Sequence, residues 1–258
     1  PEQPKNETQN TTLMLHFDDG IGATTANDSS PYKNDGTLVG TAFFTNDSVS
    51  GSAITFDGDS DYVSMGVVDS SPQGTITAWI KINVMNGNDF PILSSSDTAV
   101  TTRHVLFYAQ TGTKDVNLLQ RNGDTADAVK GSTVLEAGEW YHVAVTSSGT
   151  SWSLYVNGMS ENLTVAGGSN TGDWFGDTEF RDNTIIGGWI RASDPTYANG
   201  TIDEVAIYNK SLTAAEIKQL YLRSWYDVSP QLFLLHPNYP EPLDNSTQNT
   251  TLLLHFDD

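Results

Sequence analysis

Period-two alternation of apolar and polar side chains, interrupted by turn residues, constrains this chain more than any other feature. Leu13, Leu15 and Phe17 alternate with Met14 and His16, and Ile76, Ala78, Ile80 and Ile82 alternate with Thr75, Thr77, Trp79 and Lys81. Val143 and Val145, then Leu154 and Val156, continue the pattern. Successive strand residues point to opposite faces, so such runs demand half-buried strands. Turn clusters at spacings of about 8–12 residues make the expected fold all-β, an antiparallel two-sheet sandwich. Ser147-Ser148-Gly149-Thr150 reads as a hairpin loop, and Asn122-Gly123 and Asn157-Gly158 as turns. One helix is predicted over 214–222. Thr213 and Glu216 form a capping box, Leu212 and Ile217 sit at staple positions, and Ile217, Leu220 and Tyr221 share a face.

The chain also repeats itself. Asn6–Asp19 reads NETQNTTLMLHFDD and Asn245–Asp258 reads NSTQNTTLLLHFDD, identical at 12 of 14 positions at an offset of 239. The second copy is either the first strand of a following tandem domain or a strand donated to a neighbour. Both copies suit one groove, and only one can fill it per domain; Leu252, Leu253, Leu254, His255 and Phe256 are the candidate subunit-linking strand. The organisation expected is an inter-repeat segment at 1–11, a domain at 12–222, a linker at 223–249 and the extra strand at 250–258. Pro230, Pro237, Pro240 and Pro242 stiffen that linker, while Trp225, Tyr226 and Leu232–Leu235 make it too apolar to hang free throughout. The opening Pro-Glu-Gln-Pro, without initiator Met or signal pattern, is expected of a mature fragment or of a piece of something longer.

Composition narrows function. The net charge of −20, from 12 Lys+Arg against 32 Asp+Glu, opposes nucleic-acid binding, which needs cations to neutralise phosphate. There is no cysteine, which removes thiolate zinc sites, thiol catalysis and disulfides. No apolar run approaches the length of a membrane span. Nine N-x-[ST] sequons begin at Asn6, Asn10, Asn27, Asn46, Asn162, Asn199, Asn209, Asn245 and Asn249, about twice what chance placement gives. They favour a glycosylated extracellular or cell-surface chain. The lack of disulfides points to a bacterial or archaeal surface.

Several segments then fall in a familiar order: TLMLHFDDG (Thr12–Gly20), KNDGTLVG (Lys33–Gly40), AITFDGDSDYVSMG (Ala53–Gly66), GTITAWIKIN (Gly74–Asn83), EWYHVAVT (Glu139–Thr146), WSLYVNG (Trp152–Gly158) and GTIDEVAIYNKSLTAAEIKQLY (Gly200–Tyr221). Over roughly Thr12–Leu222 the chain resembles laminin-G-like domains of the concanavalin A-like lectin and glucanase group. The resemblance implies a jelly-roll sandwich, often a structural calcium ion, and frequently carbohydrate or protein binding.

Related glucanases carry Glu-x-Asp-x-Glu on one strand. The matching stretch here, Thr201-Ile202-Asp203-Glu204-Val205, lacks both outer acids, and regular pleating would send Asp203 and Glu204 to opposite faces. The two-carboxylate mechanism therefore lacks its pair. His16, His104, His142, His236 and His255 form no H-E-x-x-H motif, and there is no G-x-S-x-G. Candidate calcium ligands are Asp57, Asp59 and Asp61, spaced two apart, and a cage drawn from Asp18 or Asp19, Asp28 and Asp203; solvated turn acids are the competing reading. Trp174, Phe175, Trp189, Arg191 and Tyr197 are candidates for a carbohydrate or partner platform in loops, whereas Trp79, Trp140 and Trp152 lie in strand patterns and read as core. Arg103, Lys114, Arg121 and Lys130 form no evident patch. The expected function is a non-enzymatic extracellular repeat that associates with copies of itself through its terminal strands. The alternative is a calcium-dependent carbohydrate-binding adhesin module.

Overall fold

The computed structural model describes residues 10–84, 88–193 and 195–228, and within them the alternating runs become antiparallel strands. The first six are β1 (Thr11–Leu15), β2 (Thr25–Ala26), β3 (Gly36–Val39), β4 (Phe43–Thr45), β5 (Ala53–Asp57) and β6 (Tyr62–Met65). There follow β7 (Gly74–Ile82), β8 (Phe90–Ser96), β9 (Arg103–Gln110), β10 (Asp115–Asn122), β11 (Thr125–Lys130), β12 (Trp140–Ser147) and β13 (Trp152–Val156). The last are β14 (Met159–Ser160), β15 (Thr164–Gly167), β16 (Thr184–Ile186), β17 (Gly188–Trp189), β18 (Thr196–Tyr197) and β19 (Asn199–Tyr208), ahead of helix α1 (Ala214–Val228).

Two large sheets result. One has eight strands in the order β14-β13-β12-β7-β19-β5-β4, with β1 also paired to β19; the other has nine, β15-β11-β10-β9-β8-β16-β6-β3-β2. A separate ribbon joins β17 to β18. This is the expected sandwich. Leu13, Leu15, Ile76, Ile80, Ile202 and Ile207 from the first sheet meet Val63, Val105, Phe107, Leu118 and Ile186 from the second in one buried core. Stacked sheets of this kind interdigitate alternate side chains, which is why the period-two pattern was required. Asn157 and Gly158 both take positive φ, 50° and 72°, and close the β13–β14 hairpin as a two-residue turn. The hairpin loop lies one residue later than predicted, at 148–151: Ser147 still pairs with Trp152, and the Ser148 amide donates to the Ser151 carbonyl at 3.0 Å.

Helix α1 begins as its sequence dictates. The Glu216 amide donates to Thr213 Oγ1 at 3.3 Å, and Glu216 Oε2 accepts from the Thr213 amide at 2.7 Å. Ile217 is buried with Ala144 and Tyr155, joined by Leu212 and Leu220, while Tyr221 stacks on Trp79 at 5.6 Å. The helix thus lies on the outer face of the eight-stranded sheet. It runs to Val228, past the expected 222, because no glycine or proline precedes Pro230. The first residues of the span read as linker are therefore helical. Trp79 and Trp152 are buried as expected; Trp140 is only half-buried and carries the Lys81 ammonium 5.6 Å from its ring centroid. The compact unit ends at Val228. Asn6, Asn245, Asn249 and the strand Leu252–Phe256 lie outside the described residues.

Candidate functional site

The acids proposed for calcium do not converge. Among the described residues no three His, Asp or Glu side chains gather where a metal ion could sit. Asp59 is exposed, and the oxygens of the other acids accept N–H groups and brace loops. Asp28 takes the amides of Met14 (2.9 Å), Ser30 (2.8 Å) and Asn34 (2.8 Å) together with the Ser30 hydroxyl. Asp203 takes the amides of Val49 (2.8 Å), Ser50 (3.1 Å) and Glu204 (2.8 Å). Asp18 accepts from the Ser52 amide, Asp19 from that of Asn27, and Asp57 from that of Asp59. Asp61 turns inward and accepts from the Thr41 and Asp57 amides. Asp28 and Asp203, each taking three backbone amides, are turn braces, and because no three of these acids come together they do not fit a calcium cage as placed.

Asp203 and Glu204 depart from the expected geometry. A bulge shifts β19 between Asp203 and Ala206, and Glu204 takes φ 50°. Ile202 and Val205 both face the core, so neither acid does. Glu204 reaches His16 Nδ1 at 2.9 Å, and this hydrogen bond raises the His16 pKa. Asp203 is sealed beneath the 49–50 backbone, and burial lifts its pKa to about 8 despite the amides that pull it down. A cavity of about 360 Å³ beside them is lined by His16, Glu204, Trp79, His142 and Leu220 among others, and Asp203 is not in its wall.

The loop aromatics divide into two groups. Trp174 and Phe175 are 0% and 1% exposed and belong to the core, so they are not a platform. Gly74 explains the fit of the indole: a β-carbon there would lie 2.5 Å from Trp174 Nε1. Trp189, Arg191 and Tyr197 remain half-buried at the β17–β18 ribbon. The ribbon sits on the outward face of the nine-stranded sheet, where Ser94 Oγ donates to the Gly188 carbonyl at 2.8 Å.

Cross-strand register assembles the surroundings of Trp189. Ser96, His104, Arg121 and Ala126 form one row across β8, β9, β10 and β11; Ser94, Leu106, Leu119 and Ala128 form the next. Val105, Phe107 and Leu118 between them point into the core, so these rows face outward. The Arg191 guanidinium lies 3.5 Å from the Trp189 ring centroid, and His104 meets that ring edge-on at 4.9 Å. Burial, and then the charges of Arg191 and Arg121, push the His104 pKa down to about 3, so the imidazole is neutral. Neither His104 nitrogen nor Trp189 Nε1 has a hydrogen-bond partner among the described residues. The Arg191 guanidinium thus lies against the indole, and Arg121 is close enough to act on the charge of His104, although the two are far apart in the sequence. At the other end of the ribbon Tyr197 stacks on Tyr62 at 6.2 Å. It borders a cleft of about 210 Å³ walled by Asn88, Asp89, Phe90 and Asn199.

Of the described sequons, Asn27, Asn46 and Asn162 are exposed, and Asn10 and Asn209 are half-buried. Asn199 lies in β19 with its amide nitrogen donating to the Asp57 carbonyl at 2.8 Å.

Residues 57–218 match the sequence profile described as the concanavalin A-like lectin/glucanases superfamily. No curated protein matches the chain. Among solved structures, domain 4 of AbnA, a GH43 extracellular arabinanase from Geobacillus stearothermophilus in complex with arabinotriose, is similar at 17% identity and TM-score 0.64, over 82% of this chain and 98% of that one. The CBM40 of Ruminococcus gnavus IT-sialidase bound to alpha2,3 sialyllactose is similar at 19% identity and TM-score 0.55, over 66% and 96%. Trypanosoma rangeli sialidase in complex with sialic acid is similar at 19% identity and TM-score 0.59, over 81% of this chain but 32% of its own. At these identities the likeness is one of fold.

Proposed function

The chain belongs to the concanavalin A-like lectin/glucanases superfamily, and from that premise we propose that it is a non-catalytic, extracellular carbohydrate-binding module. One observation carries the reading: the outward face of the nine-stranded sheet brings Trp189 together with Arg191, Arg121 and a neutral His104. Arg191 covers one face of Trp189, and the part of the indole left exposed suits the C–H surface of a sugar ring, while a guanidinium pairs with carboxylate in a fork. In a chain of net charge −20 such a pair of guanidiniums favours a sugar that bears a carboxylate, as sialic and uronic acids do. The sialyllactose bound by the CBM40 relative is consistent with that class. A non-catalytic role accords with the acids: Asp203 is sealed under backbone amides and Glu204 is held by His16.

A glycan array tests the reading. Signal on sialylated or uronic-acid glycans, abolished by W189A and R191A in variants of unchanged circular dichroism, supports it. Equal signal in wild type and both variants overturns it. Binding is expected to survive a chelator, because the candidate acids do not converge on a common point among the described residues. An extracellular life predicts glycan at Asn46 and Asn162 by mass spectrometry and none at Asn27 or Asn199, whose side-chain amides are tied to Asp19 and to the Asp57 carbonyl.

A second reading, that the module is one unit of an array linked to copies of itself through its terminal strands, is favoured by the 12-of-14 identity of Asn6–Asp19 with Asn245–Asp258. Both roles can reside in one molecule, since the terminal strand and the Trp189 face belong to different sheets.

A further inference from the structure

The terminal strand β1 is held on both edges and by its side chains, and every group that holds it lies elsewhere in the chain. On one edge β19 pairs with it, Leu13 against Ile207, Met14 against Ala206 and Leu15 against Val205. The Asn209 amide donates to the Asn10 carbonyl at 2.8 Å. On the other edge the 28–34 loop replaces a strand. The Met14 amide donates to Asp28 Oδ1 at 2.9 Å, the Ser29 amide to the Met14 carbonyl at 2.8 Å, and Asn34 Nδ2 to the Thr12 carbonyl at 3.0 Å. Inward, Leu13 and Leu15 are fully buried and Phe17 is 1% exposed. Beyond the strand, His16 meets Glu204 at 2.9 Å, and the Ser52 amide and hydroxyl hold Asp18 and the Phe17 carbonyl at 2.8 and 2.6 Å. The seat is thus a slot closed on three sides, which reads backbone along its edges and side chains along its floor.

The side chains that the slot reads recur at the far end of the sequence. Thr12, Leu13, Leu15, His16, Phe17, Asp18 and Asp19 reappear as Thr251, Leu252, Leu254, His255, Phe256, Asp257 and Asp258. Within the strand, the one change is Met14 to Leu253. That position meets the slot through its backbone, its side chain is half-buried, and Met and Leu exchange at nearly constant volume. The two copies therefore offer the slot the same set of contacts, and replacing one by the other costs little.

We propose that the slot of β1 accepts residues 249–258 of a second copy of this chain, so that molecules join by strand exchange. The inference rests on the repeat reading and deepens it: the partner is the same chain, the donor is its C-terminal copy, and the acceptor is the channel between β19 and the 28–34 loop. Because native and donated strands make equal contacts, occupancy follows concentration and tether length rather than contact energy.

The absence of cysteine allows a clean test on the full chain. Both backbone groups of Met14 point to the loop, so Met14 and Ala206 form a non-hydrogen-bonded pair, the closer kind across an antiparallel ladder and one that suits a disulfide. One chain carries A206C and another L253C; they are mixed, incubated and oxidised, and the cross-linked peptides are read by mass spectrometry. M14C with A206C in one chain is the positive control, and D124C in place of A206C measures chance collision. The expected result is a mixed link at least fivefold above the D124C level, rising further when H16A loosens the resident strand of the acceptor. A link no stronger than the D124C level, with the original His16 and with H16A alike, overturns the proposal. The arm that keeps His16 decides the matter should H16A lose its fold. Light scattering of the unaltered chain separates this failure from that of its premise: assemblies that form without the link overturn strand exchange alone, and a monomer without the link overturns the repeat reading too.

Discussion

The two sheets bear the same kind of core on their inner faces and are finished differently on their outer ones. The eight-stranded sheet is roofed by α1, which buries Trp79 with Val49 and Tyr221 and, alongside, Ala144 with Tyr155 and Ile217. Among the described residues the nine-stranded sheet receives the β17–β18 ribbon, which leaves Trp189, Arg191 and Tyr197 half-buried. Each outer face also holds a buried histidine. His142 lies under α1 beside Trp79 and Tyr221, and His104 lies under Trp189. Burial alone pushes His142 down to about 3, whereas two arginines add to burial at His104. The contrast teaches that a face covered by an amphipathic helix is sealed, while one covered by a two-stranded ribbon keeps aromatic and charged side chains half-buried.

Acid should strike both faces and give the largest effect. Each histidine has a folded pKa near 3, below its ordinary 6.5, so its contribution is complete above pH 6.5 and is lost as pH falls toward 3. At about 1.36 kcal/mol per unit, each face should lose on the order of 3 kcal/mol between pH 7 and pH 4. Urea unfolding at the two pH values checks this, and H142Q and H104Q should each remove part of the loss. A loss carried by one histidine alone would break the symmetry of the two faces. Next in size, I217A beneath the helix should cost about 3 kcal/mol, as expected for a fully buried isoleucine, and leave glycan binding unchanged. W189A should do the reverse: binding down at least tenfold, about 1.4 kcal/mol, with a smaller change in unfolding free energy. Should W189A prove the more destabilising of the two, the ribbon would be a roof like α1. Smallest, T213A should cost about 1 kcal/mol by removing the helix cap, read as a shift in urea midpoint with an unchanged slope.

How much of this was legible beforehand depended on the range of the interaction. The alternating strands, the capping box at Thr213 and the Asn157-Gly158 turn are local, and their residues state them. The end of α1 was misplaced because Arg223–Val228 carry no stop signal and the prolines begin at Pro230. Trp174 was misassigned because its loop is polar; its burial depends on Gly74, about 100 positions away. Asp28 and Asp203 resembled calcium ligands because an oxygen that receives amides and one that receives a cation are spelled with the same letter. Arg121 was read among scattered basic residues and Arg191 as a platform candidate, since only the register of β9 with β10 and the fold of the ribbon bring both beside His104. The bulge at Glu204 has no signature in a run of strand-forming residues, and it alone turns two neighbouring acids away from the core.

The closeness of Gly74 to the Trp174 indole limits how this scaffold can vary. With a side-chain nitrogen on one side and the Tyr208 carbonyl 2.6 Å from where a β-carbon would stand on the other, even alanine needs both to yield. In a saturation library selected for folding, position 74 should tolerate almost nothing but hydrogen, and a smaller residue at 174 alone should not rescue changes there, because the Tyr208 carbonyl still stands in the way. Anyone recutting the 168–180 loop to present a new surface would therefore be editing the start of β7, on the opposite sheet, at the same time.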